Sequence, residues 1–442
     1  MTTKKELKLL TELLNLEGIK VLSHRQYEGI GIILQLEASG KESICSRCGS
    51  KSNKLHQNRW HIIKDLSWGE RAVFLEINRR QFKCEKCQKP FSEEMGFVKE
   101  RRTYTKRLAV KIVEEVLADD ISSIAKKGLV TTEEIERMLK DASANLLELK
   151  PVGLKRLGID EIALVKGQGK YCAVLVDIDR SKLLMILESR TKEELKKVLL
   201  GWGEEVLGGI EEVSIDLWKG YKSLVTEIMP KAQVVADRFH VMIQINKELD
   251  MQRKTEKRLV EKKIKLTKNQ QEKLDNKNIL AGIVASKYAL LKNEKELTQK
   301  QKDKLVEVKS GSPTLKIMHQ LKEKFREIFE KAERWADGLI ELSAWLSKAQ
   351  KYFVNSRSTI VRWLDEILAY FDRRTTSGVV EGINNKLKLI KRSAYGFTNF
   401  ENFRNRCLLN QGKHISNSIR PIRNIIYGQK RHSNYKMLFY SI

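Results

Sequence analysis

A multidomain α+β protein built around an RNase H-like α/β domain is predicted by three features of the sequence. Short apolar strands with carboxylates near their ends fill residues 158–240, two close cysteine pairs precede them, and a long Lys-, Glu- and Leu-rich helical stretch follows. Residues 159–165 alternate in polarity, with Asp160 near the start. Residues 171–179 and 182–189 are apolar runs joined to it and to each other by turn-like pieces at 166–169 and 179–181, so the three read as an antiparallel meander. Residues 191–207 have helical periodicity. Residues 212–216 form a fourth strand ending in Asp216, 220–229 a helix stopped by Pro230, and 233–236 a fifth strand. The order β-β-β-α-β-α-β is that of an RNase H-like sheet, in which the first and fourth strands are neighbours. Asp160 and Asp216 would then project towards one spot. Carboxylates that close repel unless a cation lies between them, and hard oxygen ligands favour magnesium or manganese. A two-ion centre of this kind suits in-line attack at phosphorus.

The whole chain bounds the partner. Among 442 residues, 84 Lys and Arg against 57 Asp and Glu leave a net charge of +27, which fits a polyanion. Charge alone would also fit a ribosomal or chromatin protein. A hydrophobic content of 41% allows real cores. No apolar run approaches the ~20 residues of a membrane span. Residues 1–20 read as a charged amphipathic helix and not a signal peptide. A cytoplasmic protein with no membrane partner is expected.

In the region 1–95 a short helix at 6–16 precedes two strands within 21–37 that meet near Glu28-Gly29. Cys45 and Cys48, then Cys84 and Cys87, each offer two thiolates from one tight turn, as a tetrahedral zinc ion requires. The interval between the pairs exceeds the common ~15–20 residues. A zinc ribbon accommodates it with strands at 59–66 and 72–80. The plainer readings are coincidental pairs or a redox motif. His56 is an alternative ligand or a lone surface histidine. Arg59, Arg79 and Arg80, interleaved with Trp60, Trp68 and Phe82, form either a phosphate-contacting face or a solvated basic surface.

The region 96–150 reads as a helix over 97–119 and short helices over 121–125 and 131–139, with Gly128 between the last two. That is the outline of a helix-turn-helix. The presumed recognition helix carries Glu133, Glu134 and Glu136, so a structural three-helix unit is the competing reading. Pro151 marks the boundary of a first catalytic segment, 151–241.

Asp237 and His240 close that segment, and a strand-end salt bridge would explain them without chemistry. An all-α insertion is expected over 242–372, broken at Gly311-Ser312-Pro313, with Trp335, Trp345 and Trp363 in its core. The second catalytic segment, 373–410, begins a helix after residues 375–378. Glu381, Asn385, Lys388 and Arg392 recur on one face of it, with Lys391 beside them. A carboxylate followed by amide and cationic groups fits a third metal ligand beside a phosphate track. A helix-start glutamate answering the dipole is the alternative. Residues 411–442 form a basic, aromatic tail.

Five blocks in this order carry a family resemblance: the two cysteine pairs, GIDE at 158–161 with Tyr171 after it, VSIDLW at 213–218 with Tyr221, VADRFHV at 235–241, and SGVVEGINNKLKLIKR at 377–392. The closing segment from Tyr395 to Arg406 agrees as well. Over about residues 40–410 the chain resembles DDE transposases of the ISL-three (ISL3) family of bacterial insertion sequences. The resemblance implies a zinc ribbon holding one zinc ion, a helix-turn-helix, and an RNase H-like domain interrupted by helices. It implies Asp160, Asp216 and Glu381 as the catalytic triad around two magnesium (or manganese) ions. Asp237 and His240 match a DxxH signature. The implied partners are double-stranded DNA, both terminal inverted repeats and target, and another copy of the chain in a homodimer or larger assembly near the nucleoid. The expected reaction is metal-dependent cleavage followed by joining of the 3′-hydroxyl end to target DNA. The alternative is a catalytically silent DNA-binding regulator of transposase descent.

Overall fold

The computed structural model describes residues 3–163, 171–375, 378–394 and 399–412. The turn expected at 166–169 and the tail from residue 413 lie outside the described residues. The chain forms two compact units, residues 1–149 with 389–442, and residues 150–388.

The first unit opens with α1 (Lys4–Leu14), closed by a reciprocal Thr3–Glu6 capping box. Strands β1 (Ile19–Tyr27) and β2 (Gly31–Ala38) form a hairpin, and β3 (Ser43–Ile44) and β4 (Lys51–Ser52) pair separately. Strands β5 (Leu55–Trp68) and β6 (Arg71–Lys83) form a second, longer hairpin, and β7 (Pro90–Ser92) pairs with β6. The main sheet has the order β1-β2-β6-β5, with β2 and β6 parallel. Val73, Leu75 and Ile77 alternate onto one face of β6 and pack with Leu34, Leu36, Ile63 and Leu14 of α1.

Three helices follow: α2 (Lys106–Ala118), α3 (Ile121–Ala125) and α4 (Thr132–Glu148). The helix expected from residue 97 begins nine residues later, because residues 98–105 are drawn into bridges. Val98 pairs with Thr105, and Tyr104 with Lys64 of β5. Thr105 then caps α2 by accepting from Leu108 N–H. Gly128, at φ +83°, makes the turn before α4. That helix outruns the expected residue 139, since Ile135, Met138, Leu139 and Ala142 continue one buried stripe.

Buried Asp65 of β5 ties three elements together. It accepts from Thr105 Oγ1 at 2.7 Å and from Arg107 Nε at 2.7 Å, and Arg107 Nη1 donates to Leu14 O at 2.8 Å.

The second unit holds a five-stranded sheet of β8 (Arg156–Ala163), β9 (Tyr171–Asp177), β10 (Lys182–Leu187), β11 (Glu212–Ile215) and β12 (Gln233–Ala236). Its order is β10-β9-β8-β11-β12, with β8, β11 and β12 mutually parallel and β9 antiparallel to both neighbours. Helices α5 (Lys192–Trp202) and α6 (Glu204–Gly208) lead into β11, and α7 (Lys219–Ile228) links β11 to β12. A single helix was expected over 191–207. Gly203, at φ +94°, breaks it in two.

After β12 the chain is helical: α8 (Arg238–Leu266), α9 (Gln270–Ile283), α10 (Lys287–Leu291), α11 (Gln299–Gly311), α12 (Pro313–Lys331), α13 (Trp335–Ala349), α14 (Val354–Arg362) and α15 (Leu364–Arg373). The break at Gly311-Ser312-Pro313 falls as expected, with Ser312 capping α12 and Pro313 in its first turn. Trp345 and Trp363 are buried, and Trp345 Nε1 donates to Leu321 O at 2.7 Å. Trp335 does not join them. It opens α13 and is 52% exposed. Helix α16 (Gly378–Ser393) crosses the boundary between the units, and α17 (Phe400–Gly412) belongs to the first unit. There Leu409 packs with the α2–α4 core, and Asn402 Nδ2 donates to Glu136 of α4 at 2.7 Å.

Removing the buried acceptor in Asp65→Ala leaves the partly buried Arg107 without its partner. Chemical denaturation should show the first unit weakened by about 3–5 kcal/mol.

Candidate active site and metal centre

The parallel pairing of β8 with β11 matches Leu157 to Val213 and Gly158 to Ser214. Asp160 and Asp216 stand two residues beyond that last pair, Asp160 within β8 opposite Val174 of β9 and Asp216 just past the end of β11. Both are half-buried. Asp160 Oδ1 accepts from Glu161 N–H at 2.7 Å, and Asp216 Oδ1 accepts from Trp218 N–H at 3.0 Å. Burial pushes the Asp160 carboxyl upwards, and Asp237 and Glu161 add to the rise. Asp216 is pushed up to about 6, first by burial, then by Glu161, with Asp160 contributing. His240 opposes both shifts. The two carboxyls therefore share one electrostatic neighbourhood that favours protons or cations over free charge.

Asn384 reaches them from α16. Its Nδ2 donates to Asp160 Oδ2 at 2.6 Å, its side chain is buried, and its Oδ1 has no hydrogen-bond partner. Asn384 lies off the exposed stripe of Glu381, Asn385, Lys388 and Arg392 that the helical spacing predicts. Asn384 shares the inward side with Val380, Ile383 and Leu387, all buried. The approach of α16 depends on Gly158 of β8, where a Cβ would stand 2.7 Å from Val380 Cγ2. Glu381 lies in the first turn of α16 and is exposed, as are Asn385, Lys388 and Arg392, while Lys391 is half-buried. Among the described residues, the only set of three or more Cys, His, Asp or Glu with ligand atoms all within 4.8 Å of one another is the cysteine set. Asp160, Asp216 and Glu381 do not close to that distance.

Behind the aspartates, Glu161 accepts from Tyr221 Oη at 3.0 Å and from Arg190 Nη1 at 2.6 Å. Burial and Glu161 raise the Tyr221 phenol, which keeps it a neutral donor. Arg190 also stacks over Tyr171 at 4.8 Å. Asp237 caps α8 by accepting from Phe239 N–H at 2.8 Å and lies 3.6 Å from His240 Nδ1. The strand-end pairing thus exists, and His240 also acts electrostatically on both aspartates.

In the first unit the four cysteine sulfurs converge. Cys45 and Cys87 Sγ are 3.7 Å apart, and Cys48 and Cys84 Sγ are 3.4 Å apart, around Phe82 and Phe91. Four thiols with no disulfide among them suit a tetrahedral soft-metal site. Hydrogen bonds from Ser50 hold the Cys48 thiol down at about 6. His56 is exposed and outside this set. Arg59 and Arg79 sit directly opposite each other on β5 and β6, and Arg79 Nε is unpartnered. Two facing cations are an arrangement that an anion would relieve. Arg80 is committed instead to Glu93 through its Nε at 2.9 Å and to Gly40 O through Nη1 at 2.7 Å.

Comparison with known proteins adds independent findings. A DDE family profile of the ISL3 type, described as transposase, matches residues 157–407. A second profile, the zinc-finger of transposases IS204/IS1001/IS1096/IS1165, matches residues 41–87. The transposase for insertion sequence element IS1001 of Bordetella parapertussis is 24% identical over 394 residues, spanning 87% of this chain and 93% of that protein. The transposase for IS1557 of Mycobacterium tuberculosis is 25% identical over 371 residues, 80% of this chain and 82% of that one. A Drosophila P element transposase strand transfer complex aligns over 73% of this chain and 94% of that one at 12% identity and a TM-score of 0.35, too loose a likeness to carry weight.

The raised Asp216 carboxyl has a defined sign. The folded chain keeps a proton between the ordinary value of 3.8 and about 6 that the unfolded chain has released. Stability from this group is therefore greatest in acid and falls as pH rises through that window. Asp216→Asn should stabilise the chelator-treated protein at neutral pH by on the order of 2 kcal/mol, allowing for partial solvent screening, and much less in mild acid. Thermal melts at the two pH values check it.

Proposed function

This chain belongs to the ISL3 family of DDE transposases, and from that premise we propose that Asp160, Asp216 and Glu381 form its catalytic centre for DNA cleavage and strand transfer. The observation that most supports this reading is the side-by-side placing of Asp160 and Asp216 on the parallel neighbours β8 and β11, with raised carboxyls. When bound, two magnesium or manganese ions supply activation of the attacking oxygen and stabilisation of the leaving one. Asp160 and Asp216 offer the hard oxygen ligands from the sheet, and Glu381 offers a third from α16. Asn384 Nδ2 and Glu161 N–H each donate to one oxygen of Asp160 and so fix the carboxylate's orientation. Lys388, with Lys391 and Arg392 further along α16, provides cationic groups for the phosphates beyond the cut.

The reaction needs no covalent protein intermediate. Water adds to phosphorus at the element's end, and the P–O3′ bond breaks on the opposite side, freeing a 3′-hydroxyl and leaving a 5′-phosphate. That hydroxyl attacks a target phosphodiester in the same geometry and displaces a target 3′-oxygen. One phosphodiester forms as one breaks, so joining requires no external energy source.

In this reading Cys45, Cys48, Cys84 and Cys87 hold one zinc ion, and the facing Arg59 and Arg79 contact phosphates of the terminal inverted repeats. Arg80 serves the fold through Glu93. Synapsis of two ends calls for two or more copies of the chain. The α2–α4 unit reads DNA only through surfaces left over from its own packing. Glu134 of α4 is held by Lys64 at 2.7 Å and Thr103 at 3.0 Å.

Asp160→Ala, Asp216→Ala and Glu381→Ala should each reduce strand cleavage to background while end binding, followed by fluorescence anisotropy, persists. Retained cleavage in any of them removes that residue from the centre. Asn384→Ala should cost roughly 10–100-fold in manganese affinity by titration, with a parallel loss of rate. Binding without nicking by the unmodified chain in magnesium would favour the regulator.

Metal analysis should give one zinc per chain. Cys84→Ser should lose the metal and loosen residues 41–92, seen as faster proteolysis there, because metal binding and local folding are coupled.

A further inference from the structure

The face of the β5–β6 hairpin that carries Ile63 and Leu75 over the first unit's core changes character further out. Its next rungs, by cross-strand register, are His61 with Ile77, Arg59 with Arg79, and Gln57 with Gln81. Alternation puts all of them on one side of the ribbon. On β5, His61, Arg59 and Gln57 are exposed. None of the polar members is acidic, and each can donate a hydrogen bond. Gln57 Nε2 donates to Gln81 Oε1 at 2.5 Å, and Gln81 Nε2 donates to Ser92 Oγ at 3.3 Å, so both amides are held in place. The carbonyl of Gln57 and its second N–H face solvent. The opposite side of the ribbon is already spent on ion pairs, Arg80 with Glu93 and Glu76 with Arg25.

We propose that this face enters the major groove of the terminal-repeat DNA, where Gln57 reads an adenine while Arg59 and Arg79 hold the phosphates on either side. A two-stranded ribbon fits that groove, which is about 12 Å wide. Rungs on one face follow each other at about 6.8 Å, or two base-pair steps of about 3.4 Å. Facing like charges repel. Splayed apart, the two guanidinium groups point to the two phosphate walls and leave the groove floor to the shorter amide. A glutamine that donates one N–H and offers its oxygen matches adenine, whose major-groove edge carries the N7 acceptor and the N6 donor. The ribbon is fixed at its base by Asp65 and near its far end by Phe82 beside the cysteines, so the rungs keep their spacing. The proposal rests on the reading that the first unit binds the terminal repeats, and it adds how their sequence is recognised.

The test measures binding by fluorescence anisotropy, using the full chain with calcium in place of magnesium so that no strand is cut. Repeat duplexes carry 7-deazaadenine in place of one adenine at a time, which removes only the N7 acceptor. The unmodified protein should lose roughly 5–150-fold in affinity at one position. Gln57→Ala should weaken binding to the natural repeat by a similar factor and become indifferent to the analogue there. Arg59→Ala and Arg79→Ala should weaken binding to the repeat and to a scrambled duplex alike, each lowering the slope of log affinity against log salt by about 1. Zinc content and melting temperature show that each variant keeps its fold. Sensitivity to the analogue that survives Gln57→Ala overturns the proposal, as does a preference for the repeat with no sensitive adenine. An unmodified chain that binds repeat and scrambled duplex equally sinks the terminal-repeat reading itself, and the proposal with it.

Discussion

Two carboxylates held side by side on neighbouring parallel strands, Asp160 within β8 and Asp216 just past β11, are the constraint from which the second unit is built. Left in water, Asp160 and Asp216 would separate. The β8–β11 ladder denies them that choice, and burial raises the cost of their charge. The surroundings are arranged around this tension. Glu161 is drawn aside by Tyr221 and Arg190. Asp237 spends one oxygen on the start of α8. Asn384 donates to Asp160 from across the unit. Glu161 and Asp237 still add to the repulsion and His240 opposes it.

The first unit solves a different problem with similar means. Its sheet covers one face with apolar side chains, while the β5–β6 hairpin runs on past that core. Beyond Ile63 towards Leu55, every residue of β5 is exposed. Such a ribbon needs anchoring at its base, and Asp65 provides it by joining β5 to α2 and, through Arg107, to the end of α1. At its far end the cysteine cluster closes the strands from the other side. The facing arginines lie between these two fixed points, on a scaffold stiff enough to keep like charges together.

Much of this was legible in the sequence because its signals were local. Alternating strands with acidic ends, paired cysteines, and a Gly-Ser-Pro break each announce themselves within a few residues. The neighbouring of the first and fourth strands followed from the element order β-β-β-α-β-α-β, and the meeting of the carboxylates followed from that. What escaped depends on contacts made at long range. The start of α2 is set by bridges from residues 98–105 to the sheet, which override a run with good helical periodicity. Trp335 has the composition of a core residue, yet its place at the start of α13 turns it outwards. Arg80 and Arg79 are adjacent and chemically alike, and only the position of Glu93 separates a structural arginine from a free one. Asn384 was hidden because an exposed stripe is easy to read on a helix, whereas a polar residue on the apolar side looks like an interruption.

The Asp160–Asn384 hydrogen bond joins residues 224 positions apart. At ribosomal speeds of about 5–20 residues per second, roughly 10–45 s pass between synthesis of one partner and the other. The same late stretch supplies α17, which packs into the first unit's helical core. A chain released early by a broken message or a premature stop would therefore lack part of both bodies at once. For a transposase, the last described stretch of the chain thus ties the completion of its two bodies to one late event of synthesis.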